Sequence, residues 1–168
     1  MDLSKIIEER FAVRKFSSRK LEPEVLAEIL EAGRLAPTAK NMQPQRIFVC
    51  KSDEALAKID LVSPCRYNSS CVLLVCGDTN DCFTDGAYTS HEMDATIVTT
   101  HMMLKATDVG ADSLWVRRFD VEKTKEVFNL KDGIIPVCLL VLGYRTVDCP
   151  MNVKHNVRKP LNETVTEL

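Results

Sequence analysis

The sequence lacks a hydrophobic segment long enough to cross a membrane. Its longest nearly uninterrupted apolar run, Ile134 to Leu142, has nine residues and includes a proline, whereas a membrane-spanning helix needs roughly 20 apolar residues. The amino-terminal residues mix acids with bases and lack both the apolar core and the small-residue cleavage site of a secretory signal. These observations predict a cytoplasmic protein that neither crosses nor binds a membrane.

An excess of either charge is also lacking. The 22 Lys and Arg residues against 24 Asp and Glu residues give a formal net charge of −2. Nucleic acids and anionic membranes are polyanions, and the proteins that bind them present a broad positive field. We therefore expect no nucleic-acid partner, and any anion site must be a local cluster of basic side chains.

Metal-binding patterns are missing although the sequence has seven cysteines. There is no C-x-x-C pair, and no cysteine has a histidine at zinc-ligand spacing. Cys71 and Cys76 are an odd number of residues apart, so on one strand they point to opposite faces and cannot share a ligand. Because several cysteines lie in apolar runs such as RIFVC and CVLLVC, the sequence predicts buried, reduced thiols and no metal site.

What is present is the composition of a globular domain of 168 residues, 45% apolar and 27% charged. Apolar periodicity and helix-breaking residues indicate an alternation of helices and strands, which favours an α+β or α/β layered fold. The predicted helices are 3 to about 11, 21–35, 53–59, about 87–108 and 121–128, and the predicted strands are 46–50, 71–76, 114–116 and 134–142.

The helix predicted between residues 87 and 108 carries apolar side chains on every side of the helical wheel. Such a helix is normally buried all round, so we expect it at the centre of the fold. The residues after Gly143 are polar and basic, include two prolines and show no periodicity. We interpret them as an extended arm.

Two basic clusters lie near opposite ends of the sequence. The first includes Arg10 and Arg14, whose spacing of four would place both guanidinium groups on one face if the first helix extends that far, an arrangement suited to clamping a phosphate. Each cluster taken alone is more typical of a solvated surface or of a set of surface ion pairs than of a binding site. The second cluster consists of Lys154, His155, Arg158 and Lys159.

Three segments connect these clusters to a known family. ERFAVRKF, with Arg10, Arg14 and Phe16, resembles the opening of the nitroreductase family of FMN-dependent oxidoreductases, where an Arg-x-Ser-x-Arg-x-Phe-like pattern holds the flavin phosphate and ribityl chain. APTAKNMQP is similar to the family's loop against the flavin, and MNVKHNVRKPL to its basic carboxyl-terminal signature. The three segments occur in the family's order, so the resemblance covers nearly the whole chain.

The resemblance implies a nitroreductase-like α+β fold with three α/β/α layers and a central mixed, mainly antiparallel sheet. It further implies an intertwined homodimer with two FMN molecules at the subunit interface. Residues 1–168 would form a single FMN-binding domain, with an extended carboxyl-terminal arm from about residue 144.

The activity implied by the resemblance is that of an FMN-dependent NAD(P)H oxidoreductase. NADH or NADPH would reduce the bound flavin, which would then reduce a small-molecule acceptor, such as a nitroaromatic or a quinone, in a ping-pong cycle. Two alternatives stay open. The reduced flavin could serve reductive dehalogenation or flavin fragmentation, or the chain could be a flavin-binding store or sensor without useful turnover.

The resemblance also implies which residues contact FMN. Arg10, Arg14 and Arg158 would meet the phosphate, Asn41 and Gln43 the ring, and a backbone amide near Trp115 the flavin N5. No catalytic side chain and no metal is needed, because the flavin carries the chemistry. The full expected cofactor-binding set is Arg10, Phe11, Ala12, Arg14, Pro37, Thr38, Ala39, Asn41, Gln43, Trp115, Val116, Arg117, Arg118, Arg158 and Lys159.

Several positions depart from the family's pattern. Ala12 replaces the usual hydroxyl residue between the two arginines, and Gln45 stands where an aromatic residue commonly follows Gln-Pro. The sequence reads WVRR at residues 115–118, where relatives commonly have a glycine, so Arg117 or Arg118 would add positive charge near the ring or the pocket mouth. We expect these departures to alter the choice of acceptor more than the choice of cofactor.

Overall fold

The structure is a computed structural model that describes residues 2–168. It contains five α-helices, six strands and two short 3-10 turns, at Ala39–Asn41 and Leu161–Glu163, among these residues. The helices are α1 (Leu3–Glu9), α2 (Pro23–Leu35), α3 (Asp53–Val62), α4 (His91–Asp108) and α5 (Val121–Val127). The strands are β1 (Gln45–Cys50), β2 (Cys71–Asp78), β3 (Thr84–Asp85), β4 (Tyr88–Thr89), β5 (Asp112–Val116) and β6 (Ile134–Gly143).

Local sequence signals account for most helix starts. The side chain of Asp2 accepts a hydrogen bond from the Ser4 amide at 3.0 Å, and the hydroxyl of Ser52 accepts one from the Ala55 amide at 3.2 Å. These residues cap helices α1 and α3, because the first amides of a helix have no partner within it. α2 begins instead at Pro23, whose missing N–H and fixed φ suit a first helical position.

Four strands form the central sheet in the order β1-β2-β6-β5, and each neighbouring pair is antiparallel. The side chains of the inner strand β2 alternate between two cores. Cys71 and Leu73 belong to the core that includes residues of α2 and α4, whereas Val72 and Cys76 belong to the core that includes residues of α3. The predicted three-layer arrangement and the opposite orientation of Cys71 and Cys76 are therefore confirmed.

Helix α4 packs against α2 and lies across the sheet. The contact with α2 is close: a Cβ atom at Gly33 would lie 2.8 Å from Cγ of the fully buried Met102. The opposite face of α4 carries Met93, which is 57% exposed, and the exposed His101. The prediction that this helix is buried all round is thus wrong for the single chain, because only one of its faces meets α2 and the sheet.

The segment after α1 differs from the predicted helix. α1 ends at Glu9, and Arg10 has extended backbone angles, φ −61° and ψ 123°. Val13 is fully buried and its amide donates to the Ser113 carbonyl at 3.2 Å, which ties the segment to the start of β5. In an extended chain, Arg10 and Arg14 still share a side because side chains alternate with a period of two. The predicted helical reason for their common orientation is therefore wrong, since pairing with β5 overrides the helical pattern.

The carboxyl-terminal residues from about 145 are irregular and mostly exposed, as expected for an arm. Apolar side chains along it are left uncovered by the rest of the chain: Val153 is 89% exposed, Val157 70% and Leu161 78%. No helix among residues 2–168 is both long enough and apolar enough to span a bilayer.

Six of the seven cysteines are buried and all seven are free, which confirms the predicted burial of most of the thiols. Burial raises the pKa of the Cys76 thiol to about 12 and that of Cys138 to about 11. Thiolates are the reactive form. We therefore expect Ellman's reagent to modify only the partly exposed Cys149 rapidly in the native protein, and the other six thiols only after denaturation.

The matched control for this titration is Cys149→Ser, which should abolish the rapid phase and leave the denatured total one thiol lower. Rapid modification of several thiols in the native Cys149→Ser variant would contradict the packing of the cysteines described above.

Candidate functional site

A cleft of about 330 Å³ lies between the extended segment after α1 and the carboxyl-terminal arm. Residues of both basic clusters, which lie near opposite ends of the sequence, line this cleft. The lining residues are Arg10, Phe11, Ala12, Arg14, Asn152, Lys154, His155 and Arg158.

The cleft concentrates positive charge without compensation. Within residues 2–168, no carboxylate side chain lines it. Partial burial and the neighbouring Arg158 guanidinium both lower the pKa of Arg10, burial having the larger effect. The guanidinium of Arg158 donates to the carbonyls of His155 and Val157, and that of Arg14 to the Ala12 carbonyl at 3.3 Å. Guanidinium groups held near one another in this way favour a bound anion with several acceptor oxygens.

Phe11 anchors the arm to the rest of the site. Its ring meets the His155 ring edge to face, with centroids 6.0 Å apart, and the Arg145 guanidinium lies 4.9 Å from the Phe11 ring centroid. A ring nitrogen of His155 also lies 3.2 Å from the carbonyl oxygen of Glu8 at the end of α1. These contacts bring Arg158 close to Arg10 although the two residues are far apart in the sequence.

Asn152, Lys154 and His155 also line the cleft, although the predicted set did not include them. The Asn152 side chain accepts the Lys154 amide at 2.9 Å and so shapes the turn that carries both residues. Lys154 and His155 belong to the second basic cluster, and their presence in that cluster could have identified them from the sequence as residues of the site. Lys159, which was in the predicted set, does not line the cleft and lies 3.6 Å from the Glu163 carboxylate.

The predicted flavin loop, Ala36 to Pro44, lies at the carboxyl end of α2 and is not part of the cleft. Lys40, Asn41 and Gln43 have φ values of 51°, 55° and 55°, a left-handed conformation that residues other than glycine seldom adopt. Thr38 helps to close the turn, because its hydroxyl accepts the Gln43 amide at 3.0 Å. The predicted residues Pro37, Thr38, Ala39, Asn41 and Gln43 are thus gathered in one tight loop.

The predicted WVRR segment forms the end of β5 and the turn that follows it. Trp115 is half-buried and Val116 buried, whereas Arg117 and Arg118 are exposed. The Arg117 guanidinium lies 5.0 Å from the Phe119 ring centroid, and the Arg118 carbonyl accepts the hydroxyl of the buried Ser63 at 2.7 Å. None of these four predicted residues lines the basic cleft.

The chain matches a family model described as the nitroreductase family over residues 7–66 and 67–144. A crystal structure of a nitroreductase family protein from Clostridium difficile superposes on it with a TM-score of 0.92, at 34% identity over 99% of this chain and 98% of that chain. A candidate nitroreductase from Exiguobacterium sibiricum, solved in complex with FMN, gives a TM-score of 0.89 at 23% identity over 100% of this chain and 98% of that chain.

Among the similar sequences is a candidate NADH dehydrogenase/NAD(P)H nitroreductase from Methanothermobacter thermautotrophicus. It is 26% identical over 151 residues, which cover 86% of this chain and 78% of the relative. The family match extends over most of the sequence, from α1 through β6. Together with the fold, it shows that the chain belongs to the nitroreductase family.

Proposed function

We propose that this protein is an FMN-dependent NAD(P)H oxidoreductase of the nitroreductase type. The observation that carries the proposal is the basic cleft, in which Arg10, Arg14 and Arg158 face one small volume without a carboxylate among the lining side chains. The FMN complex of the Exiguobacterium sibiricum neighbour and the name of the Methanothermobacter thermautotrophicus relative support it.

The donors in the cleft fit the terminal phosphate of FMN. That group carries a charge of about −2 at neutral pH, as phosphate monoesters do, and guanidinium groups bind phosphate oxygens through paired, charge-assisted hydrogen bonds. Arg10, Arg14 and Arg158 would hold the phosphate, with Phe11 and Ala12 beside it and Lys154 as a further cation. FMN, when bound, supplies the hydride and electron chemistry, so the protein contributes binding, orientation and electrostatics.

The residues proposed to hold the ring come from the other two predicted segments. The amides of Asn41 and Gln43 can donate and accept, which suits the alternating acceptors and donors of the flavin ring. Pro37, Thr38 and Ala39 would shape the loop that presents these amides. From the WVRR segment, main-chain amides would approach the ring, and the exposed Arg117 and Arg118 would make the pocket mouth positive.

A homodimer would join the basic cleft of one subunit to the loop of the other. α1 packs against α4, and together they expose a set of apolar side chains: Leu3 is 62% exposed, Ile7 55% and Met93 57%. Exposed apolar surface of this kind marks interfaces. In the same dimer, the exposed side chains of Val153 and Val157 in the arm would pack against the second subunit.

The proposed reaction takes electrons from NADH or NADPH and delivers them to a small-molecule acceptor, such as a nitroaromatic or a quinone, in a ping-pong cycle. We place the enzyme in the cytoplasm, as a single FMN-binding domain over residues 1–168 with its arm beginning at about residue 144. Lys159, an exposed residue of that arm, would act on the phosphate only by its charge at a distance.

The cofactor itself provides the first test. We expect the purified protein to be yellow and to release FMN rather than FAD on denaturation, because the cleft suits a terminal phosphate and the sequence has no G-x-G-x-x-G fingerprint. NADH or NADPH should bleach the bound flavin without oxygen, and a nitroaromatic should restore its colour. A colourless protein that takes up no added FMN would overturn the proposal, whereas bound flavin that neither nucleotide reduces would indicate a store or sensor.

A further inference from the structure

A buried carboxylate in the first turn of α4 lies outside the basic cleft. Asp94 is only 2% exposed. One of its oxygens accepts the backbone amide of Ala39 at 2.8 Å, and the other accepts the hydroxyl of Ser90 at 2.7 Å. Within residues 2–168 it forms no ion pair, so these hydrogen bonds and the positive end of α4 compensate its charge.

Ser90 connects Asp94 to a second segment. The Ser90 hydroxyl, which donates to Asp94, also accepts the amide of Phe83 at 3.2 Å, and the Ser90 amide donates to the Phe83 carbonyl at 2.9 Å. Phe83 and Ser90 flank the β3–β4 hairpin, so these bonds close it at its base. Asp94 is therefore hydrogen-bonded directly to the loop of residues 38–43 and through Ser90 to the hairpin.

The loop and the hairpin also touch each other directly. The ammonium group of Lys40 lies 4.5 Å from the centroid of the Phe83 ring, at cation–π distance. Lys40, Asn41 and Gln43 all have left-handed backbone angles that are unfavourable for side chains other than glycine. Such a conformation persists only where surrounding contacts determine it, and the hydrogen bond from the Ala39 amide to a buried carboxylate is the strongest type of contact available there.

We propose that Asp94 is a positioning residue that holds the loop of residues 38–43 and the β3–β4 hairpin as one unit. The inference deepens the proposed function and rests on it, because Asn41 and Gln43 are the side chains proposed to face the flavin ring. This unit would fix the side-chain amides of Asn41 and Gln43 beside the flavin ring, together with the neighbouring hairpin. Its rigidity would therefore determine how well an acceptor binds next to the ring. The phosphate cleft is formed by other elements and does not depend on Asp94.

Hydrogen exchange in the FMN-free protein tests the coupling independently of activity. In Asp94→Ala and in Ser90→Ala, peptides covering residues 38–43 and 83–90 should both exchange about 10-fold faster, since each substitution breaks a hydrogen bond of the shared network. Asp94→Asn keeps an acceptor for the Ala39 amide, so it should restore much of the protection of the loop. Thr96→Ala, an exposed position on the same helix, is the matched control and should leave both peptides unchanged.

Steady-state kinetics of the FMN-loaded protein separate positioning from simple stabilisation. We expect Ser90→Ala and Asp94→Ala to raise the KM for the acceptor about 10-fold, and Asp94→Asn to restore much of the wild-type KM. The dissociation constant of FMN should change by less than about 3-fold in each variant, because the phosphate cleft is untouched. An unchanged exchange rate in the loop after both Ser90→Ala and Asp94→Ala would overturn the positioning role, and so would a loss of FMN affinity as large as the rise in the acceptor KM. A wild-type protein without flavin turnover would reject the proposed function, while the exchange experiment would still decide the coupling.

Discussion

Replacing Arg10 by alanine should weaken FMN binding about 10- to 100-fold, since a hydrogen bond to a charged group contributes about 1.5–3 kcal/mol. Arg158→Ala should have an effect of similar size, because both guanidinium groups face the same cleft. Fluorescence titration of the FMN-free protein measures both dissociation constants. The two substitutions should also be non-additive, since the groups would share one phosphate.

The same substitutions should not destabilise the FMN-free protein, although they weaken FMN binding. Burial and, to a smaller extent, the neighbouring Arg158 lower the pKa of Arg10, so the two cations disfavour each other while no anion lies between them. Removing one of them should leave the melting temperature of the FMN-free protein unchanged or slightly higher, although it removes an interaction with the cofactor. Lys20→Ala, an exposed lysine outside the cleft, is the control. Equal losses of affinity in all three variants would indicate diffuse attraction, and no loss in Arg10→Ala would reject the phosphate clamp.

A glutamate at Met93 should dissociate the proposed dimer and weaken FMN binding in the same variant. Met93 is 57% exposed on the outer face of α4, so the substitution introduces a charge into the interface without disturbing the core of the subunit. If both subunits build each flavin site, assembly and FMN binding are linked, and each must strengthen the other. Sedimentation velocity with and without FMN measures the linkage directly.

Two other substitutions make this experiment specific. Leu61→Glu introduces the same charge at a residue of α3 that is 59% exposed, in the layer on the other side of the sheet, and should leave the assembly intact. Met102→Glu should instead unfold the subunit, because Met102 is fully buried against Gly33. A folded Met93→Glu monomer that binds FMN with undiminished affinity would reject the shared site while leaving the phosphate clamp standing.

The elements whose evidence is local could be predicted from the sequence. The run CVLLVC indicates a buried strand because β-branched and apolar residues without polar alternation are typical of a strand covered on both faces. The position of β2 in the sheet, with both faces buried, agrees with that reading. Pro23 at the start of α2 and the capping residues of α3 likewise mark their helices within a few residues.

The end of α1 could not be predicted, because the decisive contact is distant. Phe11 stands four residues after Ile7 and so continues the apolar stripe of a helix. The structure instead bonds the Val13 amide to the carbonyl of Ser113, a hundred residues away, and the burial of Phe11 and Val13 then follows the period of a strand. The sequence contains both patterns, and only the pairing with β5 selects between them.

The candidate site likewise contains residues that the sequence predicts and others whose positions depend on distant contacts. Arg10, Arg14 and Arg158 were predicted as one cluster from the family resemblance, and the structure brings them together. The contributions of Asn152 and Lys154 depend on a turn in an aperiodic segment, for which residue types give no register. The loop at Lys40 and Asn41 contains no glycine, so its left-handed backbone could not be predicted from residue types. Its conformation depends on contacts outside the loop, including the hydrogen bond from the Ala39 amide to Asp94.

The bond between the residue 10–16 segment and β5, continued by the Ser17 amide to the Tyr144 carbonyl at 2.7 Å, has a consequence for the order of folding. Contacts between residues so distant in the chain are slow to form, because a long loop must close before they contribute. We therefore expect Arg10 and Arg14 to form the cleft only after β5, β6 and the arm are in place. We therefore expect FMN, bound at the proposed phosphate site, to stabilise the completed fold and not to assist the early steps of folding.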